Sequence, residues 1–142
     1  MNYTVSHIAK VIHAEAMITH DDPVDHLLLD SRKVYTAKGA LFFALKSRLR
    51  NGHQFIADLY KKGVRNFVIS EPVDFSLFPE GNFLKVNETL GALQALAAYH
   101  RRQFTIPVIG ITGSNGKTIV KEWLFQLLHE DFHVIRSPKS YN

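Results

Sequence analysis

The stretch Val108-Ile-Gly-Ile-Thr-Gly-Ser-Asn-Gly-Lys-Thr118 constrains this chain more than any other. An apolar run with strand character leads into a glycine-containing turn. Lys117 then opens a helical pattern to about Glu130, with Val120, Leu124, Leu127 and Leu128 facing inward. Phosphate chemistry asks for this order. Backbone N–H groups bind phosphate oxygens, and glycine lets the backbone turn and approach closely. A helix N-terminus adds unpaired N–H groups and the positive end of the helix dipole. Lys117 is the candidate point charge for β- and γ-phosphates, and the Thr118 hydroxyl is the candidate ligand for Mg²⁺. The spacing departs from the strict P-loop, which asks for glycine at position 111, where Ile111 stands; the glycines are Gly110, Gly113 and Gly116. A glycine-rich turn that binds nothing is the plainer alternative, and the strand before and helix after count against it.

Around this loop the pattern alternates strand and helix, which argues an α/β fold. Thr4 can cap a helix to Ile12 with Val5, Ile8, Ala9 and Ile12 on one face. Leu27-Leu29 and Ala40-Leu45 are apolar runs of buried-strand type, and His20-Pro23 reads as a turn. Asn51 can cap a helix over 52–62 with the stripe Phe55, Ile56, Leu59 and Tyr60, closed by Gly63. Strands are expected at Asn66-Ser70 and Phe83-Val86, with the segment Glu71-Gly81 between them as a loop. Asn87 can cap a helix to about Phe104, with Leu90, Leu93, Leu96, Ala97 and His100 near one face. Val108-Thr112 and Phe132-Arg136 are the last expected strands. The break near Thr105-Pro107 divides a domain over 1–105 from a strand–loop–helix–strand unit over 106–142. One such unit is fewer strands than a nucleotide-binding sheet carries, so the second domain is expected to be incomplete.

Composition narrows the class. Of 142 residues, 46% are apolar and 21% charged, which excludes a disordered tail. No cysteine is present, which excludes disulfides and cysteine-ligated metals. Ala40-Leu45 is far too short to span a membrane, and Met1-Asn2-Tyr3-Thr4 is no signal-peptide start, so a cytoplasmic protein without membrane partners is expected. The net charge of +4 suits an anionic ligand, but the basic pairs Lys61-Lys62 and Arg101-Arg102 lie apart, which disfavours nucleic acid. His20, Asp21, Asp22, Asp25 and His26 match no metal-ligand spacing and read as a solvated loop. Trp123 and Phe125 read as core or interface residues rather than a base-stacking platform.

A second constellation, Asp30-Ser31-Arg32, follows the run Leu27-Leu29. It sets a hydroxyl and a guanidinium at a strand end, where α/β sheets bind ligands, and the arginine fork fits a diphosphate. On three residues alone a solvated turn is the better reading.

The glycine spacing at 110, 113 and 116 resembles the ATP loop of the Mur ligases, which add amino acids to the peptidoglycan precursor. The form Thr112-Gly-Ser-Asn-Gly-Lys-Thr118 is that of the family, and Val120-Lys121-Glu122 is most similar to the member that adds D-alanyl-D-alanine. The early segments resemble the same family. These are Asp30-Ser31-Arg32, Gly39-Ala-Leu-Phe-Phe-Ala-Leu-Lys46, Asn51-Gly-His-Gln-Phe-Ile56 and Gly63-Val-Arg-Asn-Phe-Val-Ile69. Two motif sets in one order, over nearly the whole chain, weigh more than either alone.

The resemblance implies a small N-terminal domain that binds a UDP-linked substrate, followed by the start of a P-loop ATPase domain. It implies ATP contacts at Thr112, Gly113, Ser114, Asn115, Gly116, Lys117 and Thr118, with Lys117 and Thr118 catalytic and Mg²⁺ at Thr118. It implies UDP-substrate contacts at Ser31, Arg32, Lys46, Ser47, Arg48, Asn51 and His53. Two positions depart from the family pattern: Ser47 stands where glycine is frequent, and Asn51 where aspartate is. Arg48 and Arg50 either add charge near the diphosphate or are plain surface residues, and His53 either meets substrate or packs the helix start.

The implied reaction is ATP-dependent addition of D-Ala-D-Ala to UDP-MurNAc-tripeptide through an acyl phosphate. By the same resemblance, the Mg²⁺-binding carboxylate and the amino-acid-binding domain lie beyond Asn142, and Ser137-Asn142 resembles the start of the next segment. This chain is then an N-terminal fragment, inactive alone, and a fused alanine racemase domain stays open. The alternatives are the ligase that adds the third amino acid, a non-catalytic nucleotide-sugar-binding module, and a P-loop protein handling GTP or nucleic acid.

Overall fold

The central strands of the sheet are short and buried on both sides, the pattern of a sheet covered on two faces. The computed structural model describes residues 3–138; Met1, Asn2 and the motif residues Lys139-Asn142 lie outside the described residues. The chain divides into two compact units between Phe104 and Thr105.

In the first unit, β1 (Tyr3–Thr4) pairs antiparallel with β3 (Pro23–Val24), on either side of α1 (Val5–Val11). The Thr4 hydroxyl caps α1 by accepting from His7 N at 3.3 Å, and Val5, Ile8, Ala9 and Ile12 are buried. The main sheet holds β2 (Glu15–Met17), β4 (His26–Leu28), β5 (Ala40–Phe43), β6 (Asn66–Ile69) and β7 (Asn82–Lys85), in the order β2-β7-β6-β5-β4. β4 to β7 run parallel and β2 closes one edge antiparallel to β7.

Side chains alternate across the sheet. Leu41 and Phe43 of β5, Val68 of β6 and Leu84 of β7 pack with α1 and with α3 (Thr89–Arg102). Ala40, Phe42, Phe67, Ile69 and Phe83 pack on the other face with Ile56 and Leu59 of α2 (Ile56–Lys61). Phe67 stacks on Phe83 at 5.2 Å between ring centroids, and Phe42 meets Phe67 edge-on at 6.4 Å. Buried Asn82 joins the strand starts: its amide nitrogen donates to Asn66 Oδ1 and His20 O, and its oxygen accepts from Thr19 N and His20 N.

Several local expectations are corrected. Asn51 caps a 3₁₀ turn, Gly52–Phe55, and the α-helix begins only at Ile56. Glu88, not Asn87, caps α3, because its carboxylate reaches Leu90 N and Gly91 N. The inner face of α3 is Thr89, Ala92 and Leu96, while Leu90 and Ala97 face water. The loop over 71–81 contains a short 3₁₀ turn, Phe75–Leu77.

In the second unit, α4 (Lys117–Leu128) forms as expected. Its residues Val120, Leu124, Leu127 and Leu128 are not buried. The segments Val108-Thr112 and Phe132-Arg136 are not strands, because a strand needs a hydrogen-bonded neighbour and neither has one among the described residues. The second segment lies instead along α4. Arg136 pairs with Glu122 and sits 4.3 Å over the Phe125 ring, while Lys121 Nζ donates to Ser137 O at 3.0 Å. No helix of the described residues is long and apolar enough to cross a membrane.

Candidate functional site

Parallel strands bring their C-terminal ends to one edge of a sheet, where the departing loops can converge on a ligand. β4 ends at Leu28, β5 at Phe43 and β6 at Ile69. The loops that leave these ends carry Asp30-Ser31-Arg32, Lys46 to His53, and Ser70-Glu71.

After β4 the chain turns at once, with Lys33 N donating to Asp30 O at 3.0 Å. The Asp30 carboxylate accepts from Arg32 N at 3.0 Å, Arg32 Nε at 2.9 Å and Arg32 Nη2 at 2.7 Å. These Arg32 hydrogen bonds hold the Asp30 carboxyl well below the usual carboxylate range. The Arg32 side chain remains 73% exposed. The pair therefore aims the guanidinium without burying it.

After β5 the backbone closes a tight loop. Lys46 bridges Asn51 antiparallel, and Ser47 N donates to Arg50 O at 2.8 Å. Gly52 is required at the end of this loop, since a Cβ there would lie 2.7 Å from the Ala44 carbonyl carbon. Lys46, Arg48, Arg50 and Asn51 line an open recess of about 360 Å³ with Ser47 and Gln54.

Behind the recess lies a chain of hydrogen bonds whose donors and acceptors are all determined. Ser70 N and Glu71 N donate to His53 Nε2 at 3.0 and 3.1 Å. A nitrogen that accepts two N–H groups carries no proton, so the imidazole proton is on Nδ1. Nδ1–H donates to Asn51 Oδ1 at 2.8 Å, and His53 N donates to the same oxygen at 3.0 Å. That fixes the Asn51 amide, whose nitrogen donates to Glu71 Oε2 at 2.9 Å. Glu71 Oε1 accepts from Lys46 Nζ at 2.5 Å. Burial keeps His53 below its ordinary pKa, so its proximity to Glu71 is that of a neutral ring. Hydrogen bonds from Lys46 and then Asn51 lower the Glu71 carboxyl.

In the second unit, Gly113 and Gly116 adopt φ of +146° and +78°, conformations that favour glycine. Gly116 is the N-cap of α4, which has no side-chain cap, and a Cβ at Gly116 would meet nothing within 4 Å. The Lys117 side chain folds back so that Nζ donates to Gly113 O at 2.5 Å. Thr118 follows in the first helical turn with its side chain exposed. A glycine turn with open space above it, a helix start and a lysine over the loop fit a phosphate group.

Of the residues singled out in sequence, Lys46, Asn51 and His53 are joined through one network. Ser31 and Arg32 stand at the neighbouring strand end, and no hydrogen bond links them to that network among the described residues. Ser47 and Arg48 lie on the loop itself. Glu71, which ties the network together, was missed because it begins a segment read only as a loop. The signal was available: β5 and β6 are consecutive strands, so residues just past their ends are neighbours.

A glycine-containing turn that opens a helix and a parallel sheet with polar groups at its C-terminal edge characterise the chain, and comparison with known proteins gives the family. No protein-family model matches the chain. The chain is 35% identical over 125 residues to the UDP-N-acetylmuramoyl-tripeptide–D-alanyl-D-alanine ligase of Synechocystis, which covers 88% of this chain and 27% of that protein. It is 40% identical over 98 residues to the UDP-N-acetylmuramoyl-L-alanyl-D-glutamate–2,6-diaminopimelate ligase of Geobacter metallireducens, covering 67% of this chain and 18% of the relative. The structure superposes on the corresponding D-alanyl-D-alanyl ligase of Acinetobacter baumannii with a TM-score of 0.78 and 29% identity, over 92% of this chain and 29% of that one. MurF ligase from Thermotoga maritima, solved with ADP, gives a TM-score of 0.69 at 28% identity, over 84% of this chain and 26% of that one. By sequence and by fold the chain belongs to the Mur ligase family. It spans between about a quarter and a third of the length of the D-alanyl-D-alanine ligases it matches.

Proposed function

We propose that this chain supplies the nucleotide-sugar site and the phosphate loop of an ATP-dependent, ADP-forming ligase that adds D-Ala-D-Ala to UDP-MurNAc-tripeptide through an acyl phosphate. The observation that carries this reading is the match to ligases of that name over 88% of the chain, together with the superposition on such a ligase at a TM-score of 0.78. Residues 1–105 form the UDP-substrate domain in this reading, and 106–142 the start of the ATP-binding domain.

Within the first domain, Arg32, aimed by Asp30, takes the substrate diphosphate together with Ser31. The loop Lys46 to Asn51 brings Ser47 and Arg48 to the same ligand, and His53 holds the loop in place. In the second, the backbone of Thr112 to Gly116 surrounds the phosphates of ATP, Lys117 offsets their charge, and Thr118 contributes a hydroxyl to Mg²⁺. ATP, when bound, supplies the phosphoryl group that activates the substrate carboxylate. Two anions must meet for that step, and the fixed charge of Lys117, with Mg²⁺ held at Thr118, would offset their repulsion. The chain spans about a quarter of such a ligase, so in this reading it contributes binding rather than the whole ligation reaction, and the enzyme works in the cytoplasm.

A second reading, the ligase adding the third amino acid, is favoured by the 40% identity to a 2,6-diaminopimelate ligase. Calorimetric titration with UDP-MurNAc-tripeptide and with UDP-MurNAc-dipeptide separates the two. The first reading expects tighter binding of the tripeptide, and tighter binding of the dipeptide supports the second.

A further inference from the structure

We infer that Glu71 is a positioning residue that fixes the loop between Lys46 and Asn51 for anion recognition by Arg48 and Arg50. This rests on the reading of that loop as part of the nucleotide-sugar site.

One carboxylate holds both ends of the loop. Oε1 accepts from Lys46 Nζ at the start, and Oε2 accepts from Asn51 Nδ2 at the end. Between these anchors, Ser47, Arg48, Leu49 and Arg50 face the open recess. Glu71 is itself fixed from behind, since its backbone N–H and that of Ser70 donate to His53 Nε2. The Lys46 ammonium is therefore committed to the loop stem, and the guanidinium groups at the tip are the cations that face a ligand.

The bonding order leaves no freedom at position 71. Lys46 has only donors. Asn51 presents its amide nitrogen to Glu71, because its oxygen already accepts twice from His53. The two donors meet different oxygens of one short side chain, and a carboxylate presents an acceptor at both positions where an amide presents one. A glutamine side chain at this position loses one anchor whichever way its amide is turned. An aspartate side chain in place of Asn51, the type frequent in the family pattern, sets two carboxylates against each other across the Oε2 contact of 2.9 Å. Asn51 and Glu71 are thus a matched pair in this chain.

The pairing can be exchanged. When Asn51→Asp and Glu71→Gln are made together, the carboxylate moves to the loop end and the amide to the strand end. The relocated carboxylate accepts from His53 and from the relocated amide nitrogen, and the relocated amide oxygen accepts from Lys46. Net charge is the same as in the unaltered chain.

The test is titration of UDP-MurNAc-tripeptide into the chain and three variants, with circular dichroism confirming the fold of each. Glu71→Gln and Asn51→Asp each weaken binding about fivefold, and the double exchange recovers most of the loss, a non-additivity within the range found for directly bonded residues. A nitrogen-15 spectrum of His53 shows the Nδ1–H form at neutral pH. Equal affinity of the unaltered chain and Glu71→Gln, or additive losses in the double exchange, overturn the inference and leave the proposed function standing. Failure of the folded, unaltered chain to bind overturns both.

Discussion

The two candidate anion sites of this molecule are made of different material. The one in the first unit is built from side chains: a carboxylate aims Arg32, and a four-residue network holds the loop that carries Arg48 and Arg50. The one in the second unit is built from backbone: two glycines at positive φ, a helix start and a lysine folded over the turn. The supports differ in the same way. Among the described residues every buried side chain lies at or before Leu96, and α4 buries none. A site of oriented side chains needs a packed sheet beneath it to fix their positions. A phosphate turn needs only the correct φ values and a helix to follow.

The largest effect that can break this comparison is a core truncation. Phe67 is fully buried between Phe42 and Phe83, so Phe67→Ala lowers unfolding free energy by about 3–5 kcal/mol. Leu127, 72% exposed on α4, tolerates alanine within about 0.5 kcal/mol. Urea unfolding followed by circular dichroism measures both. Equal losses would show that the second unit contributes as much to the core as the first.

A smaller effect sharpens the contrast through pH. Burial holds the native His53 pKa below the ordinary value, so the unfolded chain binds more protons as the solution turns acid. His53 therefore contributes stability that is complete above about pH 6.5 and is lost as pH falls through the lowered native value. Unfolding midpoints measured from pH 7.5 downward fall for the unaltered chain, and His53→Gln flattens that fall. An identical slope in the variant contradicts the neutral, doubly accepting Nε2 on which the loop network rests.

The legible and illegible parts of the fold divide by burial. The strands near Leu28, Phe43, Val68 and Leu84 stand out as apolar runs because both faces of the sheet are covered. β2 could not be found this way, since Glu15, Ala16 and Met17 are all exposed at the sheet edge and carry no periodic signal. The runs Val108-Thr112 and Phe132-Arg136 have strand composition, but composition supplies no hydrogen-bonding neighbour. The glycine turn and the helix after it were legible because they are written in consecutive residues from Gly110 to Thr118. Glu71 was not, because its meaning depends on Lys46 and Asn51, residues brought to it only by the parallel pairing of β5 and β6.

In the proposed function, nucleotide-sugar recognition belongs to the sheet end of the first unit and does not use the glycine turn. Titration of UDP-MurNAc-tripeptide into the folded chain, Arg32→Gln and Lys117→Ala tests it most directly. The expected result is binding by the unaltered chain, a loss of about tenfold in Arg32→Gln, the scale of one charge-assisted interaction, and unchanged affinity in Lys117→Ala. No binding by the folded chain, or a loss in Lys117→Ala as large as in Arg32→Gln, would contradict it.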